Sequence, residues 1–532
     1  MSKRTIKIYD TTLRDGAQTR GVDFSVLDKQ ALSLAMDELG FAYIEGGWPG
    51  ANPTDEGFFA DIPSLHHSQM VAFGMTRRPG RSAANDTGLQ AILRAEVGAV
   101  CLVGKSWDFQ VTEALNISLE ENIALIADSV AEGKIQGKEV LFDAEHFFDG
   151  YKANPVYALS CLEAAAQAGA TWLVLCDTNG GTLPHEITHI ISEILAAHPS
   201  YRLGIHAHDD TGHAVANSLA AILAGADLVQ GTINGLGERC GNANLISLIP
   251  TLALKMGFDV GMTRPQLQKL GQLSRLLDER LNRAPNRQAP YIGEFAFAHK
   301  GGLHASAILK NPACYEHIEP ELVGNRRHLP ISDQAGRASL MAQLRDLGLE
   351  LASDDARLAK LLQKIKELEF QGYSFDGAEA SFALLAYKML DRVPVFFRPL
   401  SFRVSDERRW LDNGEVFTLS EATTKIEVKG ERVMTVAEGN GPVNALDAAL
   451  RQALLPVYPL LQQLSLTDYK VRILTPEEGT RAVTRVMIET MGAHGERWNT
   501  VGVSGDIIEA SFHALLDSVN WCLLREMEKN NV

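Results

Sequence analysis

The chain has 532 residues, enough for two or three domains, because most domains contain about 100–200 residues. Hydrophobic residues make up 45% and charged residues 22% of the sequence, which is the composition of an ordinary globular protein. The formal net charge of −16 argues against a general binder of nucleic acids, because contacts to phosphates need clustered Lys and Arg.

The sequence also argues against a membrane or secreted protein. It contains no apolar run of about 18 residues, so we expect no membrane-spanning helix. The opening segment MSKRTIKIYD carries charges without an apolar stretch behind it, which is not the pattern of a signal peptide. The six cysteines are scattered and include no Cys-x-x-Cys pair. These features predict a reduced chain in the cytoplasm.

The first 260 residues alternate short β-rich runs with amphipathic helical segments. Candidate strands are Ile6–Asp10, Tyr43–Gly46, Met70–Gly74, Val100–Gly104, Val140–Glu145, Trp172–Thr178, Leu203–His208 and Leu228–Asn234. Eight β/α repeats in about 250 residues predict a (β/α)8 TIM barrel, an α/β fold, over residues 1–260. A doubly wound sheet is the competing fold, but its dinucleotide-binding form requires a glycine-rich turn after the first strand.

Two changes of pattern follow the barrel. Residues 261–395 contain helical segments separated by a loop-rich stretch with several prolines, which predicts a helical connector. Residues 396–532 predict a small α+β domain, and their number is within the common domain size of about 100–150. Its predicted strands are Phe397–Val404, Val416–Val428 and Tyr469–Ile473, and its predicted helices are Val443–Val457 and Asp506–Met527.

Ionisable and polar side chains are concentrated where the predicted barrel strands end. They are Asp10, Arg14, Asp15, Glu45, Asp143, Glu145, Asp177, Thr178, His206, His208, Asn234, Glu238, Arg239 and Asn242. Active sites of TIM barrels lie at the carboxyl ends of the strands, whereas barrel interiors are mostly filled by apolar residues. This concentration therefore predicts an active site at that end of the barrel.

His206 and His208 form the sharpest pattern among these residues. Two positions apart on a strand, they leave the same face, and two imidazoles at one point suit a metal. The alternative is a pair of histidines satisfied by hydrogen bonds at a strand end. Closure of the barrel places strand eight beside strand one, so Asp15 and Asn242 fall on the same arc. Two nitrogen and two oxygen donors favour a divalent ion such as Mg, Mn or Zn.

Three further side chains have the chemistry of a catalytic site. Arg14 can hold a carboxylate or a developing oxyanion through charge-assisted hydrogen bonds, or it can form a surface salt bridge. Asp143 and Glu145 leave one face at the end of strand five, and such a pair can include a general base. The alternative is a structural pair bonded to Arg14 or to backbone amides. Glu45 is interpreted as structural.

Three motifs resemble those of the metal-dependent enzymes that condense α-keto acids with acetyl-CoA in a Claisen reaction. They are Tyr9-Asp-Thr-Thr-Leu-Arg-Asp-Gly16, Gly204-Ile-His-Ala-His-Asp-Asp210 and Asn234-Gly-Leu-Gly-Glu-Arg-Cys-Gly-Asn242. This family includes 2-isopropylmalate, homocitrate and citramalate synthases. The segments Asn440-Gly-Pro-Val-Asn444 and Thr500-Val-Gly-Val-Ser504 resemble its carboxyl-terminal regulatory domain. The resemblance therefore covers nearly the whole chain.

Within this family, three segments are most similar to the bacterial citramalate synthases. They are Glu45-Gly-Gly-Trp-Pro-Gly-Ala-Asn52, Gly104-Lys-Ser-Trp-Asp108 and Asp143-Ala-Glu-His-Phe-Phe-Asp-Gly-Tyr151. This similarity implies an acyltransferase that condenses pyruvate with acetyl-CoA as co-substrate. Two alternatives stay open: 2-isopropylmalate synthesis from 2-oxoisovalerate, and an amino-acid-binding regulatory protein whose barrel does not catalyse.

The resemblance also implies roles for individual residues. The metal ligands would be Asp15, His206, His208 and Asn242, and the keto acid would be bound by Arg14, Asp143 and Thr178. Glu145 matches the catalytic glutamate of the family, and His304 matches a histidine that the connector supplies, often from the partner subunit. Either can be the base. Tyr315 matches a nearby family tyrosine.

Residues 396–532, the tail domain, are expected to regulate the enzyme. For citramalate synthases the resemblance implies isoleucine as the effector, and pairing of two tail domains implies a homodimer. Glycine-rich turns at 439–441 and 502–505 can bring backbone amides close to an amino-acid carboxylate. The alternative is a domain that serves dimerisation alone.

Overall fold

The chain forms two compact units. The computed structural model describes residues 3–299, 302–328, 337–352, 354–410, 416–493 and 495–530. The first unit comprises Met1–Phe297 and Ile318–Arg327, and the second comprises Ala298–His317 and His328–Val532. The domain boundaries predicted near residues 260 and 395 stay predictions.

In the described part of the first unit, eight parallel strands close into a barrel. They are β1 Lys7–Asp10, β2 Tyr43–Gly47, β3 Gln69–Met75, β4 Ala99–Lys105, β5 Glu139–Glu145, β6 Trp172–Asp177, β7 Leu203–Ala207 and β8 Leu228–Gly231. The strands pair in chain order, and β8 closes the barrel by pairing with β1, where Gln230 lies opposite Tyr9. The predicted TIM barrel is confirmed, and the doubly wound alternative is wrong.

Helices follow the strands and pack on their outer faces. The α-helices of this unit are Val26–Leu39, Pro53–Ala60, Thr87–Arg94, Asp108–Gln110, Leu119–Ile135, Phe147–Ala153, Pro155–Gln167, Pro184–Ala197, Ala214–Ala224, Leu245–Pro250, Arg264–Leu267 and Leu270–Arg280. Their starts carry local signals: Ser25 and Asp28 form a capping box, and Asn52 caps a helix that begins with proline. The outward strand residues Ile8 and Phe142 join these helices in one large apolar core.

The inward strand residues fill the barrel lumen. This second cluster consists of Tyr9, Tyr43, Val71, Phe73, Ala99, Cys101, Leu141, Trp172, Val174, Cys176 and Leu228. Because side chains alternate along a strand, the same inward faces continue toward the carboxyl ends to Glu45, Glu145 and His206. The fold therefore sets polar groups above an apolar floor.

Strands seven and eight are shorter than predicted. They end at Ala207 and Gly231, because the backbone turns after each of them. Asn234 has a left-handed φ of 59°, which is incompatible with the predicted extension of strand eight. His208 instead forms an isolated bridge with Asn242. The loop after β8 is thus paired with the segment after β7 at the mouth of the barrel.

The second unit combines helices with two antiparallel sheets in its described residues. Its helices are Gly302–Lys310, Arg337–Asp346, Ala356–Phe370, Glu379–Met389, Pro442–Leu454 and Ile507–Asn530. One sheet has the order β11-β10-β9, with β9 Phe397–Trp410, β10 Val416–Val428 and β11 Glu431–Gly439. The other has the order β12-β13-β14, with β12 Ser465–Ile473, β13 Thr484–Met491 and β14 Arg497–Ser504. The α+β class is confirmed.

The strands β11, β13 and β14 were not predicted. β14 contains Asn499 and Gly502, residue types that are depleted in strands. Gly502 is required by packing and not by strand propensity, because an added Cβ would lie 2.0 Å from the carbonyl oxygen of Ala510. No helix in the described part of the chain has the length and apolar character that a membrane span requires.

Candidate active site

Four polar side chains converge at the mouth of the barrel. His206 Nε2 lies 3.2 Å from His208 Nε2 and 3.2 Å from Asp15 Oδ2. The amide Nδ2 of Asn242 donates a hydrogen bond to Asp15 Oδ2 at 2.6 Å and lies 3.3 Å from His206 Nε2. All four side chains are buried. The fold brings together the quartet that the sequence predicted as metal ligands.

The donor atoms fit a divalent metal ion. One ligand atom each from Asp15, His206 and His208 lies within 4.8 Å of the other two. The N–H groups of the Asn242 amide face Asp15 Oδ2 and His206 Nε2, whose lone pairs would otherwise face a cation. The Oδ1 of the same amide is buried without a hydrogen-bond partner. Exchanging the similar O and N positions of this amide turns Oδ1 toward the cluster. Two imidazole nitrogens and two oxygens then form a set suited to a divalent ion.

A hydrogen-bond chain behind His206 determines which of its nitrogens faces the cluster. Gln230 Nε2 donates to Asp143 Oδ1 at 3.0 Å, and Gln230 Oε1 accepts from His206 Nδ1 at 2.7 Å. The proton on Nδ1 leaves the lone pair of Nε2 facing Asp15 and His208. Gln230 was missed in the sequence analysis. Its position on β8, two residues after the inward-facing Leu228, is the signal that could have found it.

The charges of the cluster favour ligation at Asp15 and His208, whereas a metal ion at His206 would have to displace the proton that Asp15 favours there. Burial alone would raise the pKa of Asp15, but Arg14 and His206 outweigh it and hold that pKa well below the usual range. Burial, assisted by His206, lowers the pKa of His208 to about 3. Burial lowers the pKa of His206, but Asp15 outweighs this effect and the net shift is upward. The carboxylate is thus ionised and His208 is neutral, as metal ligands must be.

Arg14 is held beside the cluster by buried partners. Its Nε donates to Glu45 Oε1 at 2.6 Å, and Tyr9 donates its hydroxyl proton to Glu45 Oε2 at 2.6 Å. The guanidinium lies over the Phe73 ring, with its carbon 3.7 Å from the ring centroid. Its Nη1 lies 3.5 Å from Asp15 Oδ1. The guanidinium is therefore fixed in orientation, with terminal nitrogens beside the donor cluster.

Glu145 has a cationic partner that the sequence analysis missed. Lys105 ends β4 and lies opposite Glu145 in the β4–β5 register, with Nζ 2.6 Å from Glu145 Oε2. The backbone N–H and the hydroxyl of Ser106 donate to the Glu145 carbonyl oxygen at 3.1 and 2.7 Å. The signal for Lys105 was its place on the inward face of β4, two residues after Val103.

Thr178 is held by both of its oxygens. Its Oγ1 accepts from the backbone N–H of His146 at 2.8 Å, and its carbonyl accepts from Arg239 Nη2 at 2.6 Å. Arg239 also donates through Nε to Asp210 Oδ1 at 2.7 Å. Because Oγ1 already accepts a hydrogen bond, the hydroxyl proton of Thr178 is the group that it can offer to a ligand.

The other predicted carboxyl groups divide into two sets. Asp143 faces the lumen, where its contacts are Gln230 and the thiol of Cys101, and burial raises its pKa. Asp10 and Asp177 follow the outward faces of their strands and hold the next loop instead, since Thr12 and Thr182 donate to them. Burial raises the pKa of Asp10 to about 7. The substrate contact of Asp143 stays a prediction.

His304 and Tyr315 belong to the second unit. Their rings stack with centroids 4.2 Å apart and an interplanar angle of 29°. Both side chains are exposed. The second unit therefore brings these two predicted residues together, and their catalytic roles stay predictions.

Models of known families cover most of the chain. Residues 5–277 match the HMGL-like family. Residues 291–372 match the homocitrate synthase post-HMGL domain-like family, and residues 376–523 match the LeuA allosteric (dimerisation) domain. Among solved structures, the HMG-CoA lyase of Brucella melitensis is similar over 52% of this chain and 99% of its own, with a TM-score of 0.45 and 20% identity.

Curated relatives align with this chain over nearly its whole length. The (R)-citramalate synthase of Aquifex aeolicus is 50% identical over 98% of this chain and 99% of its own. That of Geobacter sulfurreducens is 50% identical over 98% of both chains. The 2-isopropylmalate synthase of Methanocaldococcus jannaschii is 29% identical over 98% of this chain and 95% of its own. The chain therefore belongs to the HMGL-like family and, within it, to the family of the (R)-citramalate synthases.

Proposed function

We propose that the protein condenses pyruvate with acetyl-CoA and water to give (R)-citramalate and CoA, as a step of isoleucine biosynthesis. The observation that carries this choice of substrate is the 50% identity, over nearly the whole chain, to (R)-citramalate synthases. The lower identity of 29% to a 2-isopropylmalate synthase makes 2-oxoisovalerate the second candidate keto acid. The scattered cysteines still favour a cytoplasmic location.

The quartet Asp15, His206, His208 and Asn242 would hold a divalent ion, with Mg, Mn and Zn as the candidates. Such an ion, when bound, supplies Lewis-acid polarisation of the keto acid. Arg14 is fixed by Glu45 and supplies a charge-assisted hydrogen bond to the pyruvate carboxylate. Thr178 donates its hydroxyl proton to the same substrate. Asp143 is proposed to contact the keto acid from the floor of the site.

Glu145 is proposed to accept a proton from the methyl group of acetyl-CoA. The resulting carbon nucleophile attacks the ketone carbon of pyruvate, and hydrolysis of the thioester then releases CoA. His304 is the alternative base, and Tyr315, stacked on it, would assist. Both side chains are exposed, and the family resemblance implies that this histidine acts in the site of the partner subunit.

The metal proposal predicts the effect of removing one imidazole. We expect His208→Ala to lose condensation activity and to bind divalent metal much more weakly. Its loss of metal affinity should exceed the roughly 10–100-fold that follows removal of a residue hydrogen-bonded to a metal ligand. Elemental analysis and titration with Mn²⁺ measure the loss. His189→Ala, on an exposed helix face, is the matched control and should keep metal and activity. Unchanged metal content in His206→Ala and His208→Ala would refute the quartet.

A panel of keto acids tests the proposed reaction. We expect thiol release from acetyl-CoA to be fastest with pyruvate, by at least about tenfold over 2-oxoisovalerate, because the isopropyl group of 2-oxoisovalerate brings two extra methyl groups into the same pocket. Release measured with a thiol reagent is the readout. Preference for 2-oxoisovalerate would identify a 2-isopropylmalate synthase. Release with none of the acids would favour a binding protein without catalytic activity.

The base is identified by isotope exchange. Glu145→Gln should still bind pyruvate, but it should exchange the methyl protons of acetyl-CoA with deuterated water about 10²–10⁴-fold more slowly. His304→Ala should slow exchange much less. The reverse result, with normal exchange in Glu145→Gln and loss in His304→Ala, would transfer the role of base to His304.

The match of residues 376–523 to a dimerisation domain supports a homodimer. We propose further that isoleucine binds this domain. The segment 439–441 leads into the helix Pro442–Leu454, whereas the turn predicted at 502–505 is wrong for all but Gly505, because β14 continues to Ser504. The amino ends of the helices Pro442–Leu454 and Ile507–Asn530 favour a carboxylate. The alternative role is dimerisation alone.

A titration of the intact protein tests the effector. Coupling between sites is typically about 1–3 kcal/mol, so isoleucine should weaken the apparent affinity for a substrate by roughly 5–150-fold. Leucine is the matched control ligand, and a chain truncated after Val395 should not respond. If millimolar isoleucine does not change the apparent substrate affinity of the intact enzyme, the domain serves dimerisation alone.

A further inference from the structure

We infer that Lys105 is a catalytic residue of the acetyl-CoA half-reaction. Its ammonium group pairs with the Glu145 carboxylate at rest and with the thioester oxygen once Glu145 has taken the methyl proton. This inference rests on the proposed condensation and on Glu145 as its base.

The pair is held at the rim of the lumen by its backbone. Lys105 and Glu145 are direct neighbours across β4 and β5, and both follow the inward faces of their strands. Asn122 Nδ2 donates to the Lys105 carbonyl at 2.9 Å, and Ser106 donates to the Glu145 carbonyl. The two side chains are 16% and 25% exposed, so their charged ends remain accessible to a ligand.

A second lysine–carboxylate pair in the same barrel shows what a structural pair looks like. Lys29 bonds Asp55, and its Nζ also donates to the carbonyl of Gly46 at 2.8 Å. The other oxygen of Asp55 accepts from the backbone N–H of Trp48. Those groups are used within the protein. The Lys105 ammonium, by contrast, has one described ionic contact, which is to Glu145. Because an ammonium group has three N–H donors, Lys105 can also donate to a ligand.

Lys105 and Glu145 line a cavity whose other walls are largely apolar. It has a volume of about 200 Å³, and its walls include Trp48, Met75, Val103 and Leu115 together with Lys105 and Glu145. Apolar walls of this kind accept an acyl group and its thioester sulfur. They also lower the local dielectric, which strengthens the attraction between an ammonium group and a developing oxyanion.

Two arginines also line this cavity, of which Arg78 is exposed and Arg77 is paired with acids. Arg77 lies 2.7 Å from Asp128 and 3.3 Å from Glu121, and it donates to the carbonyl of Arg81. Its charge and its donors are used to fasten the loop after β3. Lys105 is therefore the cation of this cavity that pairs directly with the proposed base.

The movement of charge during the proton transfer explains why a cation beside Glu145 would assist the reaction. One methyl C–H bond breaks, its proton goes to a Glu145 carboxylate oxygen, and its electron pair forms the carbon–carbon double bond of the enolate. The carbonyl π electrons move to the thioester oxygen. The negative charge thus leaves Glu145 and appears on that oxygen, while the ammonium charge stays constant. Lys105 loses one anionic partner as the next one forms.

Substitution of Lys105 separates this role from a structural one. Lys105→Met keeps most of the length of the side chain but removes its charge, and we expect kcat and the rate of methyl-proton exchange to fall by about 10²–10³-fold. The KM for pyruvate and the metal content should stay near their normal values, because neither involves Lys105. Lys105→Arg, or ethylammonium added to Lys105→Ala, should recover part of the exchange.

The controls distinguish failure of this inference from failure of the proposed reaction. Lys7→Met changes an exposed lysine at the opposite end of the strands and should leave kcat and exchange unchanged. If the native protein condenses pyruvate and Lys105→Met retains kcat within about threefold, Lys105 is not catalytic and the reaction stands. If Lys105→Met and Lys105→Ala lose exchange, Lys105→Arg does not retain part of it and ethylammonium does not restore it in Lys105→Ala, the loss is structural and the inference is overturned. A native protein without condensation would overturn the reaction itself.

Discussion

The alternation of side chains along a strand is the constraint on which the whole site depends. In a closed barrel of parallel strands, every second residue faces the lumen and all carboxyl ends meet at one mouth. Along β5 the inward face runs from Leu141 to Asp143 and Glu145, whereas Phe142 and Ala144 join the outer core. One geometric rule therefore builds an apolar floor and a polar rim above it.

Buried charge imposes a second demand, because a carboxylate is costly to bury without partners. Two inward-facing acids have partners from elsewhere in the barrel: Glu45 accepts from Arg14 and Tyr9, and Asp143 on β5 accepts from Gln230 on β8, across the lumen. These contacts also orient the groups that face a ligand. With a net charge of −16, the chain can hold an anionic keto acid only where such local cations outweigh the overall field.

The loops at the mouth are tied to one another and not only to their own strands. Arg239, from the loop after β8, bonds Asp210 after β7 and the carbonyl of Thr178 after β6. His208 and Asn242 form a backbone bridge between two of the same loops. The proposed substrate-binding and metal-binding groups thus belong to loops that are bonded to one another.

Periodicity and element order were sufficient to predict the barrel, because both are properties of the local sequence. The ligand cluster was predictable for a related reason: spacing places His206 and His208 on one face, and closure brings β8 to β1. Lys105 and Gln230 were missed, because they meet Glu145 and His206 through the registers of β4 with β5 and of β7 with β8. The sequence by itself determined the architecture and the types of polar side chain at the mouth of the barrel. Only the tertiary structure decided which side chain holds each reactive group, since contacts across strands depend on register and not on spacing along the chain.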